Sequence, residues 1–228
     1  MSTVRDRIRA ETTDEIKACA RRQLATEGTN VSLRAVAREL GMVSSAIYRY
    51  FSSRDDLLTA LIVDGYSTLA DLVVAAEGRV SRDRPADRFE TVARTVRDWA
   101  RANRAEYALL YGSPIPGYVA PPETVIPVVR LSAVLVDILA DIAAGSGWTP
   151  SSSPLLGDEL RDDIVVMLGD LGRASVPPDL LVRGFTAWAA LFGVVSFEVF
   201  GHSVGVTRDY DALFEVQLAQ LVGIIGSI

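Results

Sequence analysis

Apolar residues recur every three or four positions over most of this chain, and no stretch shows the two-residue alternation of a half-buried strand. Ile16, Cys19, Ala20 and Leu24 mark one apolar face. A first helix is therefore expected to begin in the run TTDEI, capped by Thr12 or Thr13, and to close at Gly28. Ahead of it Arg5, Arg7 and Arg9 alternate without an apolar pattern and read as a flexible arm. Ser32 caps a second helix, with Leu33, Val36, Ala37 and Leu40 inward and Arg34 and Arg38 outward, and Gly41 ends it. A short third helix is expected over residues 43–50, turning Ala46, Ile47 and Phe51 inward. Ser53 and Asp56 form a capping box for a long fourth helix reaching about residue 76, with Gly65 as a candidate bend.

Helical spacing continues through residues 86–102, 106–111, 123–143, 155–171, 178–200 and 210–225. Between them, Pro114, Pro116, Pro121 and Pro122 with Gly112 and Gly117 break the chain into a connection, and residues 145–154 form the softest stretch. The pattern predicts an all-α protein.

Charge changes this picture more than composition does. Of 228 residues, 23 are Lys or Arg and 29 Asp or Glu, so the chain as a whole does not look like a nucleic-acid binder. Residues 1–60, however, hold ten basic against eight acidic residues, and the remainder thirteen against twenty-one. A mildly basic head on an acidic body can carry a local DNA-binding face. A single cysteine, Cys19, excludes an internal disulfide framework and fits a reducing cytosol. Residues 4–15 are dense in charge, unlike a signal peptide, and the apolar run 185–200 is shorter than the roughly 20 residues of a membrane span. The expectation is a cytoplasmic protein that engages no membrane.

The second and third helices around Gly41 have helix-turn-helix spacing. A helix fits the major groove of B-DNA and presents its first residues to base edges, while the preceding helix crosses the backbone. Ser44 and Ser45 are short enough to let such a helix lie deep, Tyr48 and Tyr50 pair an apolar body with a hydroxyl, and Arg49 and Arg54 can reach a guanine or a phosphate. An ordinary three-helix corner with solvated charges has the same spacing, and spacing alone leaves both open.

Residues 13–58 resemble the DNA-binding domain of TetR-family transcriptional regulators, through Ser32, Val36, Ala37, Gly41, Ser44, Ile47, Tyr48, Tyr50, Phe51, Ser53, Arg54 and Leu57. Met42, Arg54 and Leu24 depart from the family's usual residues without removing a feature that DNA binding needs. The resemblance implies DNA contacts from Arg34, Ser44, Ser45, Ala46, Tyr48, Arg49, Tyr50 and Arg54. Arg34, Ser45 and Arg49 are the candidates for reading bases, Tyr48, Tyr50 and Arg54 for holding phosphates, and Ala46 for a methyl contact to thymine. It also implies a helix-turn-helix domain over residues 1–52, and a helical ligand-binding and dimerisation domain over residues 53–228. The protein would be a homodimeric regulator, a repressor released from a palindromic double-stranded operator by a small molecule. Residues 106–121 and 188–201 resemble a subgroup with a Trp-His-Gly signature, in which Trp188 and Gly193 match and Phe192 replaces the histidine.

Trp99, Tyr107, Tyr111, Tyr118, Met167, Phe185, Trp188 and Phe192 are the candidate lining of an effector pocket, although aromatic residues at helical spacing are as readily core. Without a basic cluster in this region, an apolar and uncharged or cationic effector is expected. The last two helices carry small residues, Gly184, Ala187, Ala189, Ala190, Gly193, Ala212, Ala219 and Gly223, for close helix pairing across a dimer or within the core. His202, the one histidine, follows Glu198 by one turn. That pair could be an acid–base or metal couple, but zinc needs three or four protein ligands and no nucleophile elbow or phosphate loop occurs. No enzyme activity, metal or cofactor is expected. The alternatives are a ligand-binding protein or enzyme retaining a helix-turn-helix, and a ligand-blind nucleoid protein.

Overall fold

The computed structural model describes residues 3–145 and 156–226. Among them the chain forms nine α-helices: α1 Val4–Glu27, α2 Leu33–Glu39, α3 Arg54–Glu77, α4 Pro85–Ala102, α5 Arg104–Tyr111, α6 Val125–Ala144, α7 Asp158–Asp170, α8 Pro178–Val199 and α9 Tyr210–Gly226. Short 3-10 turns at Ile47–Arg49 and Pro122–Thr124 complete the secondary structure, with one isolated bridge between Val204 and Thr207. The fold is all-α, as the periodicity predicts. Residues 146–155, most of the stretch read as soft, lie outside the described residues.

Two compact units emerge. The first joins residues up to Thr68 with Ala102–Pro127, and the second joins Leu69–Arg101 with the chain from Val128 on. The first unit thus extends past residue 52, taking in the opening turns of α3 as well as α5. Its core is built from Ile16, Cys19, Ala20 and Leu24 of α1, Leu33, Val36 and Ala37 of α2, Ile47 and Phe51, and Leu57, Leu58, Leu61 and Ile62 of α3. Gly65 lies within the unbroken α3. A Cβ there would lie 3.3 Å from the Leu110 side chain, so the glycine makes room for α5. Arg21 ties the same elements together from the outside, donating to Asp64 and to Glu106, each at 2.7 Å.

In the second unit, α8 and α9 pack on each other and Leu180, Leu181, Ala187, Leu191, Val195, Phe214, Leu218 and Leu221 are buried. Gly184, one of the small residues considered for helix pairing, faces inward: a Cβ there would come within 2.4 Å of buried Leu139. Two buried arginines carry polar networks. Arg88 bridges Glu77 and Asp141, joining the end of α3, α4 and α6. Arg97 grips both oxygens of Glu198, at 2.7 and 2.9 Å, and lies 4.5 Å from the Phe214 ring centroid. Helices α3 and α8 are long and apolar enough to cross a membrane by length and composition, because α8 extends back to Pro178 beyond the run noted in the sequence. Half of the α3 window is buried in protein, and Glu198 of α8 is engaged by Arg97, so neither reads as a span.

Candidate nucleic-acid interface

The interface is shaped first by how α2 stops. Gly41, at φ +66°, places its N–H on the Arg38 carbonyl, while Met42 reaches back to that of Ala37 at 2.8 Å. This is the Schellman arrangement, and its left-handed residue is one that glycine adopts without a Cβ penalty. The chain then coils again immediately. Ala46, Arg49 and Tyr50 donate to the carbonyls three residues earlier, Val43, Ala46 and Ile47, and Phe51 alone makes a four-residue bond, to Ile47. Where a short third helix is expected over residues 43–50, the chain forms a tight coil whose 3-10 turn spans Ile47–Arg49. Its backbone is held by one wholly buried side chain, Ile47, whose burial is worth about 1.5–3 kcal/mol.

With Ile47 inward, four polar side chains of the coil turn outward while Tyr50 packs partly against the core. Ser44, Ser45, Tyr48 and Arg49 are exposed, as is Arg34 on α2, and Ala46 and Tyr50 are half-buried. Tyr48 exposes 45% of its surface. Arg54 differs: it is half-buried, and its guanidinium donates to the Thr29 carbonyl at 2.5 Å, fastening the α1–α2 connection to the start of α3. That start is capped by Ser53, which accepts the Asp56 N–H at 3.0 Å. The return bond of the box goes to Ser52, whose N–H and hydroxyl both donate to the Asp56 carboxylate. The Ser52 and Ser53 hydroxyls hold the Asp56 carboxyl below the usual carboxylate range. On the other side of the motif, Arg22 donates to Glu39 at 2.7 Å and lowers its carboxyl, joining α1 to the end of α2.

The arm is helical. Thr3 and Asp6 form a reciprocal capping box that starts α1 at Val4. Arg5, Arg7 and Arg9 are thereby placed on a solvated helix. Arg9 takes a part the sequence reading missed: its Nη2 donates to the Arg49 carbonyl at 2.9 Å, and its guanidinium lies 5.4 Å from the Tyr50 ring centroid. Arg38, also exposed, adds a further cation to the motif.

The candidate effector residues separate into two groups. In the first unit Tyr107 is wholly buried and lies 5.0 Å from Tyr111, which meets Tyr66 edge-on at 5.7 Å. Burial pushes the Tyr66 and Tyr111 hydroxyls up. Tyr118 shares a 2.9 Å hydrogen bond with Thr59. In the second unit Trp99 is buried, Trp188 meets Phe192 edge-on at 5.2 Å, and Met167 and Phe185 line an open apolar groove of about 480 Å³ between α7 and α8. His202 lies beyond the end of α8 against Phe197, at 5.4 Å between rings, while Glu198 is committed to Arg97. Among the described residues no group of three or more His, Cys, Asp and Glu side chains could hold a metal ion.

Comparison with known proteins agrees with this geometry. The family described as "Bacterial regulatory proteins, tetR family" matches residues 16–61, and "Tetracyclin repressor-like, C-terminal domain" matches residues 89–221. HTH-type transcriptional regulators of Mycobacterium bovis and Mycobacterium tuberculosis are 41% identical over 219 residues, 93% of this chain and 91% of each relative. The solved regulatory protein SCO4313 is 33% identical and superposes with a TM-score of 0.76 over 97% of this chain and 100% of its own. A tetR-family regulatory protein from Rhodococcus RHA1, 16% identical, shares the fold with a TM-score of 0.64, covering 94% of this chain and 96% of its own.

Proposed function

Because this chain belongs to the TetR family of helix-turn-helix transcriptional regulators, we propose that it acts in the cytoplasm as a homodimeric repressor released from a palindromic operator by a small apolar effector. The observation that carries this reading is the outward turn of Ser44, Ser45, Tyr48 and Arg49 around the buried Ile47 anchor. On this reading Arg34, Ser45 and Arg49 meet base edges, Ala46 offers a methyl to thymine, and Ser44, Tyr48 and Tyr50 hold the backbone. Arg54 reaches phosphate only with the N–H groups left over from Thr29, a smaller part than its sequence position suggests. DNA reading belongs to residues 1–52, and effector binding and dimerisation to residues 53–228.

The effector is sensed by aromatic side chains: the tyrosine group at 107, 111 and 118, with hydroxyls as polar tips, and the Trp99, Trp188 and Phe192 group. Its influence on DNA is limited to the difference between its affinities for the DNA-competent and DNA-released states. Dimerisation uses α8 and α9, whose Ala189, Gly193, Ala219 and Gly223 are exposed. An enzymatic role finds no support at its best candidate, since Glu198 answers Arg97 rather than His202.

Arg49→Ala tests the assignment. Titrated by fluorescence anisotropy against a selected operator and against scrambled duplex, it should lose about 1–3 kcal/mol on the operator and relax base preference at one position per half-site. An equal loss on every sequence would make Arg49 a phosphate contact.

A further inference from the structure

The outer face of α8 reads alike from either end. Leu191, wholly buried, sits at the middle of the inward face between Ala187 and Val195, also wholly buried. On the opposite side, at helical spacing, come Val182, Phe185, Thr186 and Ala189 before Leu191, and Gly193, Ser196, Phe197 and Phe200 after it. Positions equidistant from Leu191 match in character. Val182 pairs with Phe200, Phe185 with Phe197, Thr186 with Ser196, and Ala189 with Gly193. The four large members remain 41%, 46%, 57% and 38% exposed for Val182, Phe185, Phe197 and Phe200, and the stripe carries no charge.

A two-fold interface demands this kind of order, because residue i of one subunit must suit residue j of the other and the reverse. Antiparallel helices related by an axis beside Leu191 would bring Ala189 onto Gly193 where the backbones approach most closely. A Cβ on Gly193 would meet no neighbour within 4 Å, so that space is open. The large residues fall further out, where crossing helices diverge and leave room for rings. There Phe185, with Leu160, Ile164, Met167 and Ala189, forms the wall of the 480 Å³ groove between α7 and α8.

Resting on the dimer reading above, we propose that α8 packs antiparallel on α8 of a second copy with the two-fold axis beside Leu191. The partner's Phe197, opposite Phe185, fills the groove between α7 and α8. Met167 and Phe185 are then dimer contacts rather than effector contacts.

Mixed dimers of differently tagged Ala189→Cys and Gly193→Cys chains, oxidised and then quenched before denaturation, test the register. A disulfide needs Cα atoms roughly 4.4–6.8 Å apart. The 189–193 pair should therefore cross-link, and a Phe185→Cys with Gly193→Cys pair, one turn out of register, should not; the wild type, with only buried Cys19, is the blank. Sedimentation equilibrium supplies the second arm. Phe197→Ala and Met167→Ala, each with native circular dichroism, should weaken the dimer at least tenfold, and the double variant should fall well short of the product. A stable dimer that cross-links in another register overturns the axis while leaving the dimer reading intact. Strictly multiplicative losses overturn the groove contact. A wild type that stays monomeric at every concentration overturns both this proposal and the dimer reading.

Discussion

Arg9 offers a way to weaken the DNA-reading coil without touching a residue assigned to DNA. It bonds the Arg49 carbonyl at 2.9 Å and stacks 5.4 Å from the Tyr50 centroid, both in solvent-accessible surroundings. A hydrogen bond in such a place is worth about 0.5–1.5 kcal/mol net, and an exposed cation–π contact about 0.5–1 kcal/mol. Their sum, roughly 1–2.5 kcal/mol, is the most by which they favour the ordered coil, and so a ceiling of about 5–70-fold on the operator Kd lost in Arg9→Ala. Alanine is the best helix former, so α1 itself is not penalised. The assay is an anisotropy titration against operator DNA at several salt concentrations. A buttress changes affinity and leaves the salt slope alone, whereas a lost phosphate contact lowers the slope by about one unit. Arg9→Lys separates the two again: it keeps the charge but not the planar fork that spans carbonyl and ring. It should therefore lose most of what Arg9→Ala loses. If lysine restores full affinity, or if the slope falls by a full unit, the contact to Arg49 does not buttress the coil.

Two further predictions concern the body and the core. Arg97→Ala, which leaves a nearly buried Glu198 carboxylate with Arg101 at 3.6 Å in place of its two-pronged partner, should cost up to about 3–5 kcal/mol in chemical denaturation, and Arg97→Met with Glu198→Gln should recover a large part of it. Burial pushes the Cys19 thiol up to about 11, so native protein should resist alkylation at pH 8 and react fully once unfolded. Because the folded pKa is the higher, the native state holds a proton that the unfolded chain gives up. Stability should therefore fall as pH rises from the ordinary thiol range toward 11, and Cys19→Ala should flatten that part of the curve.

How much of this was legible in the sequence depends on how local each cause is. Helices α4, α8 and α9 lie within a residue or two of their expected bounds, because each carries a sustained apolar period, and Pro85 and Pro178 mark two of the starts. The start of α1 was missed because Val4 and Ile8 point to solvent and leave no apolar period to follow. Its signal was a different one, the Thr3–Asp6 capping box three residues apart. The helix expected over residues 43–50 is shorter, a 3-10 turn at Ile47–Arg49, since three- and four-residue bonding bury the same single isoleucine and leave no pattern that separates them. Gly65 and Gly184 report close approaches by Leu110 and Leu139, distant in sequence, which no local pattern encodes. The same holds for Arg97 and Glu198, 101 positions apart, and for Arg9 and Arg49. Arg54, which departs from the family's usual residue without loss of a feature that DNA binding needs, spends part of its hydrogen-bonding capacity on Thr29, a contact visible only once the α1–α2 connection has folded back.

The central claim is that two copies of the coil after Gly41 read a symmetric duplex. Selection of bound sequences from random double-stranded DNA by the purified protein tests it most directly. The account predicts an inverted repeat whose half-site centres lie about 10–10.5 base pairs apart, or a multiple of that, with the preference lost in Arg49→Ala. Recovery of sequences no different from the starting pool, by folded and paired protein at low salt, would contradict it.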